Sequence, residues 1–145
     1  MDSLRKAIER RDIIALKAVS DEDLNKYSHF PITVVESKWE EGIREYQSRY
    51  KCWAWTISNM FLIWSNKIQY VDEMFLLSPD SLKKDIVESV LKAGCLYLRI
   101  TLPPNYKDLY KDIDMAEVMD NISQFDKDRG FDKMLEFAYK YRDYL

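Results

Sequence analysis

Glycine is scarce in this 145-residue chain, which contains only three glycines and four prolines. The tight turns of β-hairpins depend on glycine at positions of positive φ, so this scarcity disfavours an all-β fold. The three glycines are also isolated from one another, which excludes a glycine-rich loop that cradles phosphate groups. The composition therefore favours a helical protein without that kind of nucleotide site.

Histidine and cysteine are equally few, with one histidine and two cysteines. A zinc site needs four nitrogen or sulfur ligands, and Cys52 and Cys95 lack the spacing of a ligand pair. His29 precedes a Phe-Pro pair, which is typical of a surface loop. A Cys–His nucleophile pair is disfavoured because apolar surroundings raise a thiol's pKa. We predict two buried free thiols, and a disulfide between helices is the alternative in a hyperthermophilic host.

Paired carboxylates could in principle hold a metal in a helical bundle or act as acid and base. The Glu-x-x-His pattern of such metal sites is absent, so we interpret the pairs as solvated helix faces. The pairs at helical spacing are Glu36/Glu40, Glu41/Glu45 and Asp108/Asp112. The sequence thus predicts no catalytic residue, no cofactor, no metal site and no small-molecule substrate.

Long apolar runs are also lacking. The most apolar stretch, residues 52–64, is shorter than the roughly 20 residues that span a bilayer, and Ser58 and Asn59 interrupt it. The first residues are charged and have no apolar signal-peptide region. We therefore expect a protein of the cytoplasm that does not bind a membrane.

Excess positive charge is absent as well, since the net charge is −3 and the pI about 5.3. A domain that binds nucleic acid is normally basic, so direct binding of nucleic acid is disfavoured. A local basic cluster near the N-terminus would suit phosphate contacts, but Glu9 and Asp12 interleave with it and favour a salt-bridged helix face. The cluster consists of Arg5, Lys6, Arg10, Arg11 and Lys17.

One apolar stripe dominates what is present. Between Ser37 and Phe75, large apolar residues recur every three or four positions, the period of one helical face. A Ser-x-x-Glu capping box at Ser37 and Glu40 marks its start. We predict an all-α fold, a single helical domain over residues 1–145, built as one bundle around a long central helix at about 38–75. One continuous helix and two helices with a kink near Asn66 both fit the pattern.

Other signals place the remaining helices. Ser20 begins a capping sequence, and Ser78-Pro79-Asp80 combines a cap residue with proline at the first helical position. Pro31 and the β-branched residues after it predict a short extended connector near 30–35. Gly130 suits a left-handed position after a helix. The predicted helices occupy about residues 3–19, 20–27, 78–101, 106–112, 115–125 and 131–144.

Aromatic residues are abundant, with ten tyrosines and four tryptophans. A chain of this size cannot bury all of them, and exposed Tyr and Trp are enriched at protein interfaces. Tyr139, Tyr141 and Tyr144 alternate with charged residues at the C-terminus. We predict that these tyrosines contact a protein partner.

In length, helical plan and Lys/Glu/Ile/Tyr-rich style the chain resembles the small helical proteins of hyperthermophilic archaeal viruses. The features that carry the resemblance are the capped starts at Ser37 and Ser78 and the aromatic stretch from Trp53 through Trp55 to Trp64. That group includes an inhibitor of host RNA polymerase with coat-protein relatives. The resemblance implies a protein that occupies the polymerase's basic DNA-binding channel. Its implied contact residues are acidic, namely Asp21, Glu22, Asp23, Asp126, Asp128 and Asp132.

The leading functional hypothesis is therefore a non-enzymatic interaction protein, a viral regulator that binds and inhibits host RNA polymerase. A helical coat-like virion protein is one alternative, and it predicts self-assembly. A helical bundle that captures an amphipathic partner helix is another, and it predicts an exposed apolar groove beside the central helix.

Overall fold

A computed structural model describes residues 2–145, and these residues form α-helices and 3₁₀ helices without a β-strand. The prediction of an all-α protein is confirmed. The chain divides into two compact units. The first contains the residues up to Ile57 together with Gln69–Ser78, and the second contains Ser58–Ile68 and Pro79–Leu145. The prediction that residues 1–145 form a single domain stays a prediction.

The first unit is built from short helices. They are α1 (Asp2–Glu9), α2 (Ile13–Ala18), α3 (Asp21–Leu24), α4 (Phe30–Glu36), α5 (Glu40–Arg49), most of α6 (Trp53–Met60) and α7 (Val71–Leu77). A 3₁₀ helix, Ser65–Tyr70, precedes α7. The second unit contains α8 (Asp80–Tyr97), α9 (Tyr106–Lys111), α10 (Met115–Asp120), α11 (Gln124–Asp128), α12 (Phe131–Lys140) and a 3₁₀ turn, Arg142–Tyr144.

The long central helix predicted at 38–75 is not confirmed, because this stretch contains α5, α6, the 3₁₀ helix and α7. The first break follows Tyr50, whose backbone is extended. There the side chain of Asn25 replaces the missing helical hydrogen bonds. Its Nδ2 donates to the carbonyl of Arg49 (3.1 Å), and its Oδ1 accepts from the N–H of Lys51 (2.8 Å). Asn25, which is distant in sequence, thus stabilises the end of α5. The apolar stripe continues across this position, so the stripe alone does not predict that the helix ends there.

Ser37 does not cap the central helix as predicted. It ends α4, where its hydroxyl donates to the carbonyl of Val34, and α5 begins after Trp39. The expected kink near Asn66 coincides with the 3₁₀ helix Ser65–Tyr70.

The extended connector predicted near 30–35 is wrong, because these residues form the helix α4. Pro31 lies in its first turn, where a missing N–H costs no helical hydrogen bond. Phe30, Ile32, Val34 and Val35 are buried in the core. Packing of these side chains, with α5 against α4, outweighs the strand preference of the β-branched residues.

Arg49 ties α5 to the end of α2 in the first unit. Its guanidinium donates to the carbonyls of Leu16 (3.1 Å) and Val19, and to Oδ1 of Asp21 (2.8 Å). The side chain is 18% exposed. The last carbonyls of a helix lack partners within the helix, so one side chain satisfies several backbone acceptors here.

The second unit is organised around α8 and α12. These two helices share the most extensive helix–helix contact in the described chain. Gly94 allows this approach, because a Cβ at this position would lie 2.9 Å from Cβ of Met134. Gly130 precedes α12 with φ of 78°, which confirms its predicted left-handed conformation.

Ser78 is not the cap of α8, which begins at Asp80 after Pro79. The Ser78 hydroxyl is buried in the first unit. It accepts a hydrogen bond from Trp53 Nε1 (2.8 Å) and donates one to the carbonyl of Met74 (2.8 Å). A polar residue that reads as a helix start in the sequence is therefore part of a buried network around Trp53.

Candidate functional site

An apolar groove of about 400 Å³ opens on the surface of the second unit. One wall follows the end of α8 and includes Ile100, Leu102 and Pro103. The opposite wall consists of Leu109 on α9, Val118 on α10, and Ile113 between these two helices. Cys95 and Leu135, from the buried faces of α8 and α12, lie at its base. We call this surface the apolar groove.

Two of the groove's large side chains remain open to solvent. Ile100 is 40% exposed and Leu109 is 55% exposed. Two other concave surfaces, both in the first unit, are lined largely by charged or polar residues such as Lys6, Arg10 and Asp12. A third, also in the first unit, combines charged residues with Ile43, Leu76 and Leu77. The lining of the apolar groove is mostly apolar, so this surface is suited to bury apolar side chains of another molecule.

The chain turns sharply at the end of α8 to form the first wall. Arg99 adopts a left-handed conformation with φ of 59°, and the N–H of Ile100 donates to the carbonyl of Cys95 (2.8 Å). Pro103 and Pro104 then prevent the helix from resuming. This turn leaves Ile100 and Leu102 beside α9 rather than on a continued α8.

An ion-pair cluster attaches α9 to α8 next to the groove. Glu88 on α8 accepts hydrogen bonds from Tyr106 Oη (3.1 Å) and pairs with Lys107 (3.0 Å), both on α9. Lys92 approaches the same carboxylate at 2.9 Å. Hydrogen bonds from Lys92 and Lys107 lower the pKa of Glu88 to about 2. The carboxylate therefore stays charged, and keeps α9 attached, over most of the acidic range.

Tyr110 fixes α9 from beneath. Its buried hydroxyl donates a hydrogen bond to the carbonyl of Leu135 on α12. Burial raises the pKa of Tyr110 above its usual value, so the hydroxyl keeps the proton that it donates. The groove thus has a fixed base, while Leu109, one residue earlier, faces its opening.

The cysteines differ in their surroundings. Both are free thiols, so the alternative of a disulfide is wrong. Cys95 is buried as predicted, and burial raises its thiol pKa to about 11. Cys52 is exposed, which contradicts the prediction that it is buried, because the helical stripe is interrupted between α5 and α6 at this residue.

The segment that forms the second wall of the groove is rich in acidic residues. Residues 108–118 contain four carboxylates and one basic residue, Lys111, a net charge of −3. All of these charged residues are exposed, and none of them forms an ion pair within the described part of the chain. Arg99 is the charged residue next to the first wall. The carboxylates are Asp108, Asp112, Asp114 and Glu117.

The acidic residues predicted as partner contacts lie in both units. Asp21, Glu22 and Asp23 are exposed in the first turn of α3, where Asp21 pairs with Arg49 and the Ser20 hydroxyl accepts from the N–H of Asp23. This confirms the capping sequence predicted at Ser20.

In the second unit the predicted acidic residues belong to α11 and α12. Asp126 is half-buried and accepts from the Ser123 hydroxyl (3.0 Å), and Asp128 is exposed and accepts from Gln124 (2.8 Å). Asp132 is only 8% exposed, at the start of α12. Its side chain is therefore poorly placed to contact a partner, unlike that of Asp128.

The C-terminal tyrosines pack against their own unit. Arg142 stacks over the ring of Tyr139, 4.1 Å from its centroid. Tyr141 forms an edge contact with the ring of Phe137, at 5.0 Å. Tyr144 is 39% exposed, and Lys83 lies 5.8 Å from its ring centroid. These internal contacts cover much of the tyrosine surface that we predicted from the sequence to contact a protein partner.

The described residues contain no group of three or more His, Cys, Asp and Glu side chains placed to hold a metal ion. His29 is exposed, with its ring beside Tyr27. No helix within residues 2–145 is both long enough and apolar enough to cross a membrane.

Comparison with known proteins adds no relative. No protein-family model matches the chain, and the searches of curated proteins and of solved structures give no significant match.

The groove residues did not emerge from the sequence as a site. The sequence predicts one helix at about 115–125, whereas α10 ends at Asp120 and α11 begins at Gln124. The available signal was the position of Leu109, Ile113 and Val118, which flank a predicted turn just after the Pro103-Pro104 break. Apolar residues on both sides of a turn indicate two short elements that enclose a surface.

Proposed function

We propose that this chain is a non-enzymatic interaction protein that binds another protein through the apolar groove. The observation that carries the proposal is an open groove whose walls present Ile100 and Leu109, 40% and 55% exposed. Covering such side chains removes apolar surface from water, which is the main favourable term in protein association. Apolar patches with a polar rim mark interaction sites.

We further propose a specific form of this function, in which the chain is a viral regulator that inhibits host RNA polymerase in the host cytoplasm. The resemblance to small helical proteins of archaeal viruses supports this form. Exposed acidic side chains at Asp21, Glu22, Asp23 and Asp128 add support, because they complement the basic channel in which a polymerase holds DNA. Inhibition would then require occupancy of that channel and no chemical step.

Affinity capture tests the general proposal. The tagged chain and two variants, Leu109→Asp and Leu76→Asp, are each incubated with host lysate. Leu76 is a matched control because it is 58% exposed, close to the 55% of Leu109, and lies on α7 in the first unit. Leu109→Asp should lose the captured protein, since a carboxylate in the groove must be desolvated on binding. Leu76→Asp should retain it.

Equal capture by both variants contradicts the proposal. Recovery of only the chain itself, in large assemblies, would also contradict it and favour the coat-like alternative. Polymerase subunits among the captured proteins, with capture weakened by salt, would support the specific form. A transcription assay with the purified polymerase then measures inhibition directly.

A further inference from the structure

We infer that the occupant of the apolar groove is a cationic amphipathic helix of a partner protein. This inference rests on the proposed function, because it names the chemistry of the partner that the groove binds. Two properties of the second unit lead to it, namely the apolar walls and the sign of the charge beside them.

The apolar walls require an occupant with one apolar face. The groove of about 400 Å³ presents Ile100, Leu102, Leu109 and Val118 from two short walls. An amphipathic helix offers apolar side chains at i, i+3, i+4 and i+7 on one face, which is the usual way in which a helix fills such a groove. Its other face stays in water.

The net negative charge of the segment that forms the second wall favours an occupant whose polar face is basic. Leu109 lies next to Asp108, and Ile113 lies between Asp112 and Asp114. These three carboxylates are exposed, and within residues 2–145 no basic side chain pairs with them. Lys111 is the one basic residue among them, so their charge is only partly offset, and Lys107 is already engaged by Glu88 (3.0 Å). Lysine or arginine beside the apolar face of a bound helix would pair with these exposed carboxylates, whereas acidic residues there would be repelled.

Two synthetic peptides test the charge preference. Both have about 18 residues and the same leucines at i, i+3, i+4 and i+7. One carries lysine at its polar positions, and the other carries glutamate. Fluorescence anisotropy of the labelled peptides gives each Kd with the full-length chain. The lysine peptide should bind about tenfold more tightly at about 0.01 M salt, and the ratio should approach one at about 1 M salt.

Two variants assign the binding to the groove and its rim. Leu109→Asp should abolish binding of the lysine peptide, with Leu76→Asp as the matched control. The double variant Asp108→Asn and Asp112→Asn leaves the apolar walls intact, so it should reduce the preference for the lysine peptide without abolishing binding. Circular dichroism confirms that each variant is folded.

Several results would overturn the inference. Equal or tighter binding of the glutamate peptide would show that the rim does not select charge. Failure of both peptides to bind, while capture of a cellular protein still depends on Leu109, would overturn the helix as occupant and leave the proposed function standing. A dimer of this chain that Leu109→Asp dissociates would identify a second copy as the occupant. Failure of both peptide binding and Leu109-dependent capture would overturn the proposed function as well.

Discussion

Truncation of Leu109 to alanine should weaken binding at the apolar groove by about three- to tenfold. Full burial of a leucine side chain contributes about 1.5–3 kcal/mol. Leu109 is already partly covered and is 55% exposed, so a partner that covers the rest gains roughly 0.8–1.6 kcal/mol. This free energy corresponds to about four- to fifteenfold in Kd. Alanine keeps the β-carbon, which reduces the expected loss slightly.

The assay is a titration of the lysine peptide against the wild-type chain, Leu109→Ala and Leu76→Ala. Leu76→Ala removes the same atoms from a side chain that is 58% exposed on α7, so it should leave Kd unchanged. The comparison separates the groove from a general effect of a less apolar surface. An equal loss in both variants, or no loss in Leu109→Ala, would refute the reasoning from burial in the groove.

Three further predictions concern the fold around the site. In a urea titration, Arg49→Lys should lower the free energy of unfolding by about 1–2 kcal/mol, because lysine cannot reach two carbonyls and a carboxylate at once. The control Arg44→Lys, at an exposed position, should lower it by under about 0.5 kcal/mol. A thiol reagent at neutral pH should modify Cys52 rapidly and Cys95 only after unfolding, since Cys95 is buried and its pKa is raised to about 11; rapid modification of both would contradict this. Glu88→Gln should destabilise the chain above pH 4.5. The difference in free energy of unfolding from wild type should shrink as pH falls towards 2, because the folded-state pKa of Glu88 is lowered from 4.5 to about 2. A stability difference that does not depend on pH would exclude the ion pairs as its cause.

Some local signals in the sequence predicted local structure, although those at Ser37, Ser78 and Pro31 did not. The Ser20 side chain accepts a hydrogen bond from the N–H of Asp23 in the first turn of α3, as a cap residue does. Gly130 has the positive φ that its position indicated. These features depend on neighbours within a few residues, which the sequence displays directly.

Long-range contacts explain why the prediction of one long helix at 38–75 failed. The apolar stripe from Ser37 to Phe75 is real, since Ile43, Tyr46, Trp53 and Phe75 are all buried. A periodic stripe records which residues face a core, but it does not record whether the backbone between them is continuous. The break after Tyr50 depends on hydrogen bonds from Asn25, and no pattern near position 50 reveals that side chain.

The apolar groove was not predicted from the sequence, because it too depends on contacts between residues that are distant in sequence. Its walls come from the end of α8, from α9 and α10, and its base includes Leu135 of α12. Each of these segments shows an ordinary apolar residue or two in the sequence. Only their packing around the turn at Arg99 and the hydrogen bond from Tyr110 to Leu135 brings them to one surface.

The most direct test of groove-mediated binding is photo-cross-linking from within the groove. A photoactivatable amino acid is placed at position 109 in one sample of the chain and at position 76 in another, and both are irradiated in host lysate. The groove account predicts one dominant cross-linked protein from position 109 and its absence from position 76. Cross-linking from position 76 alone, or the same products from both positions, would contradict the claim that the apolar groove binds the partner.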